Sequence, residues 1–241
     1  MTSILVTGGT GTLGRPTVTR LRTLDHQVRA LSRKPGPDRV VGDLTTGDGL
    51  SAALDGADVV VHLATSSGRK DVEQTRNLLS AASGVRHLIV MSIAGIDRIP
   101  LPYYRYKLEA ERLVAGSGVP YTVLRATQFH NLVDRILSTQ RFLPAVLAPA
   151  VPLQPIAVEE VAVRLAELAE QEPLNGRAAD IGGPERRSVV ELARLWKQAR
   201  SARRAVLPVR VPGKAFGAFA AGQATVDGPP YGKITFAEYL R

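Results

Sequence analysis

The sequence predicts an α/β chain, a doubly wound parallel sheet with helices on both faces and a small C-terminal lobe. Three observations carry this. Apolar β-type runs recur at 4–7, 27–31, 39–41, 57–64, 87–92 and 121–124, with helix-spaced segments at 17–24, 72–82 and 103–115 between them. That alternation builds βαβ units. The runs Val59-Val60-Val61 and Leu88-Ile89-Val90 are continuously apolar, as expected of strands buried on both faces. Finally, glycines cluster where the first run meets the first helix.

The character changes after about Arg125. Pro144, Pro149, Pro152 and Pro155 break up 144–155. Helices are expected at 158–172 and 188–202, with an Asp180-Ile181-Gly182-Gly183-Pro184 turn between them. Residues 205–233 are rich in Pro, Gly and Ala and read as a loop-dominated cap, and 236–241 as a short terminal helix. The expected division is a sheet domain over 1–125 and a smaller lobe over 126–241. The lobe is expected to pack over the carboxyl ends of the strands, where open α/β sheets bind ligands.

Composition narrows the function classes. The 241 residues contain no Cys, which excludes disulfides, thiolate metal sites and a cysteine nucleophile. The four His, at 26, 62, 87 and 130, include no pair at helical metal-ligand spacing, so no metal is expected. No apolar run approaches the roughly 18 residues of a membrane span, and the N-terminus lacks secretory features. A soluble, cytoplasmic protein without a membrane partner is expected, either a monomer or a homodimer. The net charge is +9, but Lys and Arg are dispersed. This suits an anionic small molecule and gives no reason to expect a nucleic acid.

The glycine cluster lies in Thr7-Gly8-Gly9-Thr10-Gly11-Thr12-Leu13-Gly14. Gly9-x-Gly11-x-x-Gly14 follows a strand and opens a helix, the context a dinucleotide fingerprint requires. The glycines allow backbone N–H groups to approach a pyrophosphate, and the helix N-terminus adds its positive dipole. Residues 1–125 are therefore expected to be a Rossmann-type dinucleotide-binding domain. NAD-specific sites usually carry an acid at the end of the second strand. Here stand Ser32, Arg33 and Lys34, able to donate to and pair with a 2′-phosphate, so NADP(H) is the expected cofactor. Asp43, followed by Leu44, could meet the adenine amino group or cap a turn.

Thr-Gly-x-x-Gly-x-x-Gly at 7–14, Gly42-Asp43-Leu44, Val61-His62-Leu63-Ala64 and Tyr103-x-x-x-Lys107 together resemble the short-chain dehydrogenase/reductase superfamily. The layout is similar to its atypical, NmrA-like and epimerase-like NAD(P)H-binding branch. The resemblance is strong over 1–125 and loose beyond. It implies that Ala64 and Thr65, after the fourth strand, border the cofactor, and that Lys107 holds the nicotinamide ribose. It also implies a catalytic hydroxyl after the fifth strand, at Ser92 or one position later at Ile93, where none exists.

The helix wheel places Tyr103 and Lys107 on one edge of an apolar stripe formed by Tyr106, Ala110, Leu113 and Val114. Tyr104, Leu108 and Glu111 fall on the opposite side. A nearby ammonium and helix N-terminus are expected to lower the Tyr103 pKa, and Pro102 suits the helix start. Tyr103 would then pass a proton to or from a substrate. His62 reads as a core residue. Past the sixth strand, Thr127, Gln128, Phe129 and His130 are candidates to face substrate, although a lone loop His is more often structural. Phe129, Phe142, Phe216 and Phe219 suggest an apolar lining.

The leading expectation is an NADPH-dependent oxidoreductase of a small, largely apolar carbonyl, enone or quinone-like compound. One alternative is a non-catalytic NADP(H) sensor that contacts a regulatory partner. Another is an epimerase, dehydratase or rearrangement enzyme that uses bound cofactor without net redox change.

Overall fold

The computed structural model describes residues 1–66 and 68–241. In chain order its elements are β1 (Ser3–Thr7), α1 (Gly14–Arg22), β2 (Gln27–Ser32), β3 (Arg39–Val41), α2 (Leu50–Leu54), β4 (Val59–His62), α3 (Lys70–Ala81), β5 (His87–Ile93), α4 (Pro102–Ala115) and β6 (Tyr121–Ala126). There follow α5 (His130–Thr139), β7 (Ala145–Pro149), β8 (Pro152–Leu153), α6 (Val158–Ala169), β9 (Gly176–Arg177), β10 (Arg187–Ser188), α7 (Val189–Ala199), β11 (Ala205–Val209), α8 (Lys214–Ala220) and α9 (Phe236–Tyr239).

Among the described residues, one seven-stranded sheet has the order β3-β2-β1-β4-β5-β6-β9. The strands β2, β1 and β4 pair in parallel, with Thr7 level with both Leu31 and His62. The order reverses direction at β1/β4, the point at which open α/β sheets bind ligands beyond the strand ends. Ile4, Leu5, Val6, Val60, Val61, Leu88 and Ile89 are fully enclosed, which explains why these runs are apolar throughout. Each such side chain contributes about 1.5–3 kcal/mol.

Two compact units interleave along the chain. One comprises Met1–Ser92, Pro102–Arg125 and Val161–Ala179; the other comprises Ile93–Leu101, Ala126–Glu160 and Asp180–Arg241. A single boundary at 125 does not describe this arrangement. The reason is local: β9 pairs with β6 through Thr122 and Val123, so 161–179 returns to the sheet. The core of the first unit is built on Leu5, Leu50, Val60, Leu78, Leu88 and Val114. That of the second is built on Val133, Leu137, Val146, Leu192, Trp196 and Phe236.

Two expectations for the C-terminal half need correction. The proline-rich stretch 144–155 contains two strands, with Pro149 and Pro152 at their ends where no ladder hydrogen bond is forfeited. The region 205–233 is not loop-dominated throughout, because β11 pairs in parallel with β7 and α8 follows. The expected helices at 158–172 and 188–202 are present but shorter. Ser188 forms a capping box with Glu191 at the start of α7.

Candidate active site

The glycine turn joins β1 to α1. Gly8 has φ +68°, and a Cβ there would lie 2.7 Å from Ala64 N; a Cβ on Gly14 would lie 2.1 Å from Gly8 O. Neither position can carry a side chain. The turn closes on itself through Gly11 N donating to Gly8 O at 2.9 Å. Thr10, Gly11 and Thr12 are exposed, and the first turn of α1 has no acid. An open backbone turn at a helix N-terminus fits a pyrophosphate. Arg15, which the sequence reading passed over, donates through Nε to Thr10 O at 3.0 Å and brings a positive charge to the turn. Arg33 and Lys34 are exposed beyond β2, and Ser32 Oγ accepts from Lys34 N at 3.1 Å.

Three residues of the expected cofactor set are engaged within the fold. Thr7 Oγ1 accepts from Leu63 N and Ala64 N and lies 2.7 Å from His62 Nδ1, so it ties the ends of β1 and β4 together. Asp43 Oδ1 accepts from Thr45 N at 2.7 Å, which is the turn-capping alternative, and Leu44 belongs to the core. His62 is buried, as expected. Burial, followed by the charge of Lys107, pushes its pKa down to about 3. With Thr7 donating to Nδ1, the ring proton sits on Nε2, facing Thr75 Oγ1 at 3.5 Å.

Helices α3 and α4 bring the acid–base groups together. Asp71 is enclosed, with 2% of its side chain exposed, and lies in the first turn of α3, where the helix dipole favours a carboxylate. Its Oδ2 accepts from Thr65 Oγ1 at 2.6 Å and lies 3.8 Å from Lys107 Nζ. Its Oδ1 accepts from Ser66 N. Thr65 Oγ1 in turn lies 3.1 Å from Tyr103 Oη. Tyr103, Thr65, Asp71 and Lys107 thus form one connected cluster. Asp71 was absent from the sequence reading. An acid one residue into a helix is an ordinary dipole partner, and nothing in the pattern singled it out.

The wheel for α4 requires correction. Tyr104, Ala110, Glu111 and Val114 are its buried residues, whereas Tyr106 is only half-buried. The buried face rotates because it includes an acid: Glu111 receives Arg125 Nε at 2.9 Å and Arg125 Nη2 at 2.6 Å. A hydropathy stripe cannot register an enclosed ion pair. Tyr104, on that face, is pushed up to about 12 by burial.

The expected lowering of the Tyr103 pKa is also corrected. Burial raises it and the Asp71 charge adds to the rise; a Thr65 hydrogen bond would oppose this only with Thr65 as the donor. Lys107 is pulled below its usual value by burial, against the charges of Asp71 and Glu111. Ser92 is buried and its Oγ donates to Glu111 Oε1, so the hydroxyl belongs to the Arg125–Glu111 pair. The hydroxyl within reach of Tyr103 Oη is that of Thr65.

In the second unit most substrate candidates serve the scaffold. Thr127 is buried and its Oγ1 donates to Gln154 O. Gln128 donates to Ala224 O at 3.3 Å. His130 is buried, lies 3.0 Å from Ile234 O through Nε2, and stacks on Tyr239. Phe129 is half-buried and caps α5. Phe216 and Phe219 pack on that unit's core, and Phe142 is 83% exposed, so it lines nothing. Among the described residues, no group of three or more His, Asp and Glu could hold a metal. Among the same residues, no helix is long and apolar enough to cross a membrane.

Comparison with known proteins agrees with this fold. The NAD(P)H-binding family matches residues 8–141. A (4-alkanoyl-5-oxo-2,5-dihydrofuran-3-yl)methyl phosphate reductase of Streptomyces griseus is 30% identical over 76% of this chain and 68% of its own. A photosystem II assembly factor of Trieres chinensis is 28% identical over 54% of this chain; the match spans only 46% of that relative's length. Among solved structures, an NADPH-dependent quinone oxidoreductase of Escherichia coli superposes with a TM-score of 0.81 at 17% identity, over 98% of each chain. The doubly wound fold, the glycine turn and these matches lead to one conclusion: the chain belongs to the NAD(P)H-binding family.

Proposed function

We propose that the chain is an NADPH-dependent reductase of a small, largely apolar carbonyl, enone or quinone-like compound. One observation carries this reading. The Tyr103 phenol is in hydrogen-bond reach of Thr65, the neighbour of Ala64, whose backbone N packs against Gly8 of the glycine turn. A proton donor therefore lies next to a backbone cradle suited to a pyrophosphate. The Streptomyces griseus relative is named as a reductase, which supports the reading.

When bound, the reduced nicotinamide supplies a hydride. The chain's own residues do the rest. The glycine turn, with Arg15 beside it, receives the pyrophosphate, and Ser32, Arg33 and Lys34 receive the 2′-phosphate. Lys107 offers its ammonium hydrogens to the ribose hydroxyls. Tyr103 Oη holds the proton for the substrate atom made negative by the hydride. Burial keeps this phenol protonated at neutral pH, the form a reduction requires.

The test is a calorimetric titration of NADPH and NADH, followed by NADPH oxidation across a panel of carbonyls, enones and quinones. NADPH is expected to bind much more tightly than NADH. Arg33→Glu should weaken NADPH about tenfold or more and leave NADH nearly unchanged, since it replaces a phosphate partner with a repelling charge. Equal loss for both cofactors would remove the 2′-phosphate assignment. A second reading, a non-catalytic NADP(H) sensor, is favoured by the engagement of Ser92 with Glu111. Tight NADPH binding with no turnover on any compound would select it.

A further inference from the structure

Two groups among the described residues lie within reach of the single Thr65 hydroxyl proton. Asp71 Oδ2 lies 2.6 Å away and Tyr103 Oη 3.1 Å away. An enclosed carboxylate is the stronger acceptor. With that proton given to Asp71, Thr65 presents only lone pairs to Tyr103, so the phenol must be the donor in their contact. We propose that Asp71 is a positioning residue that, by taking the Thr65 proton, holds Tyr103 as a neutral phenol ready to protonate the substrate. The proposal rests on the reading of Tyr103 as the proton donor of a reductase.

The proton balance is simple. In the resting state the Tyr103 O–H points at Thr65. A substrate oxygen made anionic by hydride is a better acceptor than a threonine hydroxyl, so the O–H turns to it. The Oη–H bond breaks, the proton passes to the substrate, and the bonding pair stays on the phenolate. Water re-protonates the phenolate before the next turnover. Thr65 cannot readily donate to the phenolate while Asp71 holds its proton, and the Asp71 charge further disfavours the anion. Among the described residues, other groups facing these include Tyr104 at Tyr103, and Glu111 and His62 at Lys107. Of these, Tyr104 is a neutral phenol and His62 a neutral imidazole at physiological pH.

The test reads Tyr103 ionisation directly by NMR of protein carrying 13C-labelled tyrosine, with the resonance assigned from the Tyr103→Phe spectrum. It needs no substrate. Asp71→Asn should lower the Tyr103 ionisation by about one pH unit, through loss of a nearby charge and release of the Thr65 proton. Adding Thr65→Val to Asp71→Asn should restore part of that drop, because the released donor is then gone. Where turnover exists, the alkaline fall of kcat/KM should move to lower pH in Asp71→Asn by the same amount. An unchanged Tyr103 titration in Asp71→Asn would overturn the proposal. So would a drop of equal size with and without Thr65, which would mean that the charge acts alone. Failure of the unmodified protein to reduce any compound would count against the reductase reading and leave the NMR result standing.

Discussion

Helix α4 takes part in two enclosed ion pairs one turn apart, and they are built differently. Glu111 and Arg125 meet as a fork on a carboxylate at 2.9 and 2.6 Å, with the Ser92 hydroxyl donating to the same carboxylate. Asp71 and Lys107 stand 3.8 Å apart, and the carboxylate's closer contacts are Thr65 and the Ser66 backbone. The first pair is bidentate, the arrangement that best offsets the cost of removing charges from water. The second leaves the ammonium hydrogens available and its charge sensitive to surroundings. The tight pairing fixes α4 to β6, whereas the loose pairing is the one expected of a lysine that, on the proposed reading, also meets a ligand.

That contrast can be broken by mutation. Glu111→Ala should cost about 3–5 kcal/mol, since it removes the bidentate partner of a buried guanidinium; the midpoint of chemical denaturation reads this. A cost similar to that at the loose pair would erase the distinction. The His62 neighbourhood gives the next effect. Its pKa is lowered from 6.5 in the unfolded chain to about 3, so the unfolded state binds the proton first. Stability is therefore full above pH 6.5 and falls as pH drops below it, by about 1.4 kcal/mol per pH unit for one such group. His87 and His130, also lowered chiefly by burial, act in the same direction. Denaturation at a series of pH values should show the slope, and His62→Gln should flatten it.

Lys107→Met should cost only about 1–2 kcal/mol, because Asp71 keeps its hydrogen bonds to Thr65 and Ser66. The same change should weaken NADPH binding, so stability and affinity measured together distinguish a ligand contact from a brace. The smallest effect is expected at Ser92→Ala. It should cost about 1 kcal/mol of stability and change turnover less than twofold. A large fall in turnover with unchanged stability would return Ser92 to the catalytic set.

Much of the first unit was legible in the sequence because its signals are local. The glycine turn must be glycine: at Gly8 and Gly14 a side chain would collide with backbone. Buried parallel strands must be apolar throughout. Tyr103 and Lys107 were found by spacing. Asp71, Thr65 and the Glu111–Arg125 pair had no such mark, since an acid becomes a core residue only when a distant partner arrives. The reversal of the Tyr103 pKa has the same origin, because burial and the Asp71 charge are properties of the assembled site. In the second unit, short strands such as β7 and β11 depend on pairing between segments about 60 residues apart, which no local pattern encodes. The hydroxyl of Thr127 and the ring of His130 looked available because their partners, Gln154 and Ile234, lie far along the chain.

The return of residues 161–179 to the sheet has a practical meaning. The two-residue strand β9 covers the outer edge of β6, and an open edge is a template for pairing with another chain. A fragment ending at 125 would keep the glycine turn and the Tyr103 cluster, yet it would present that edge bare. Such a piece would tend to associate through its sheets. A minimal nucleotide-binding fragment would therefore have to bring the distant segment along, through a designed linker or a rearranged chain order.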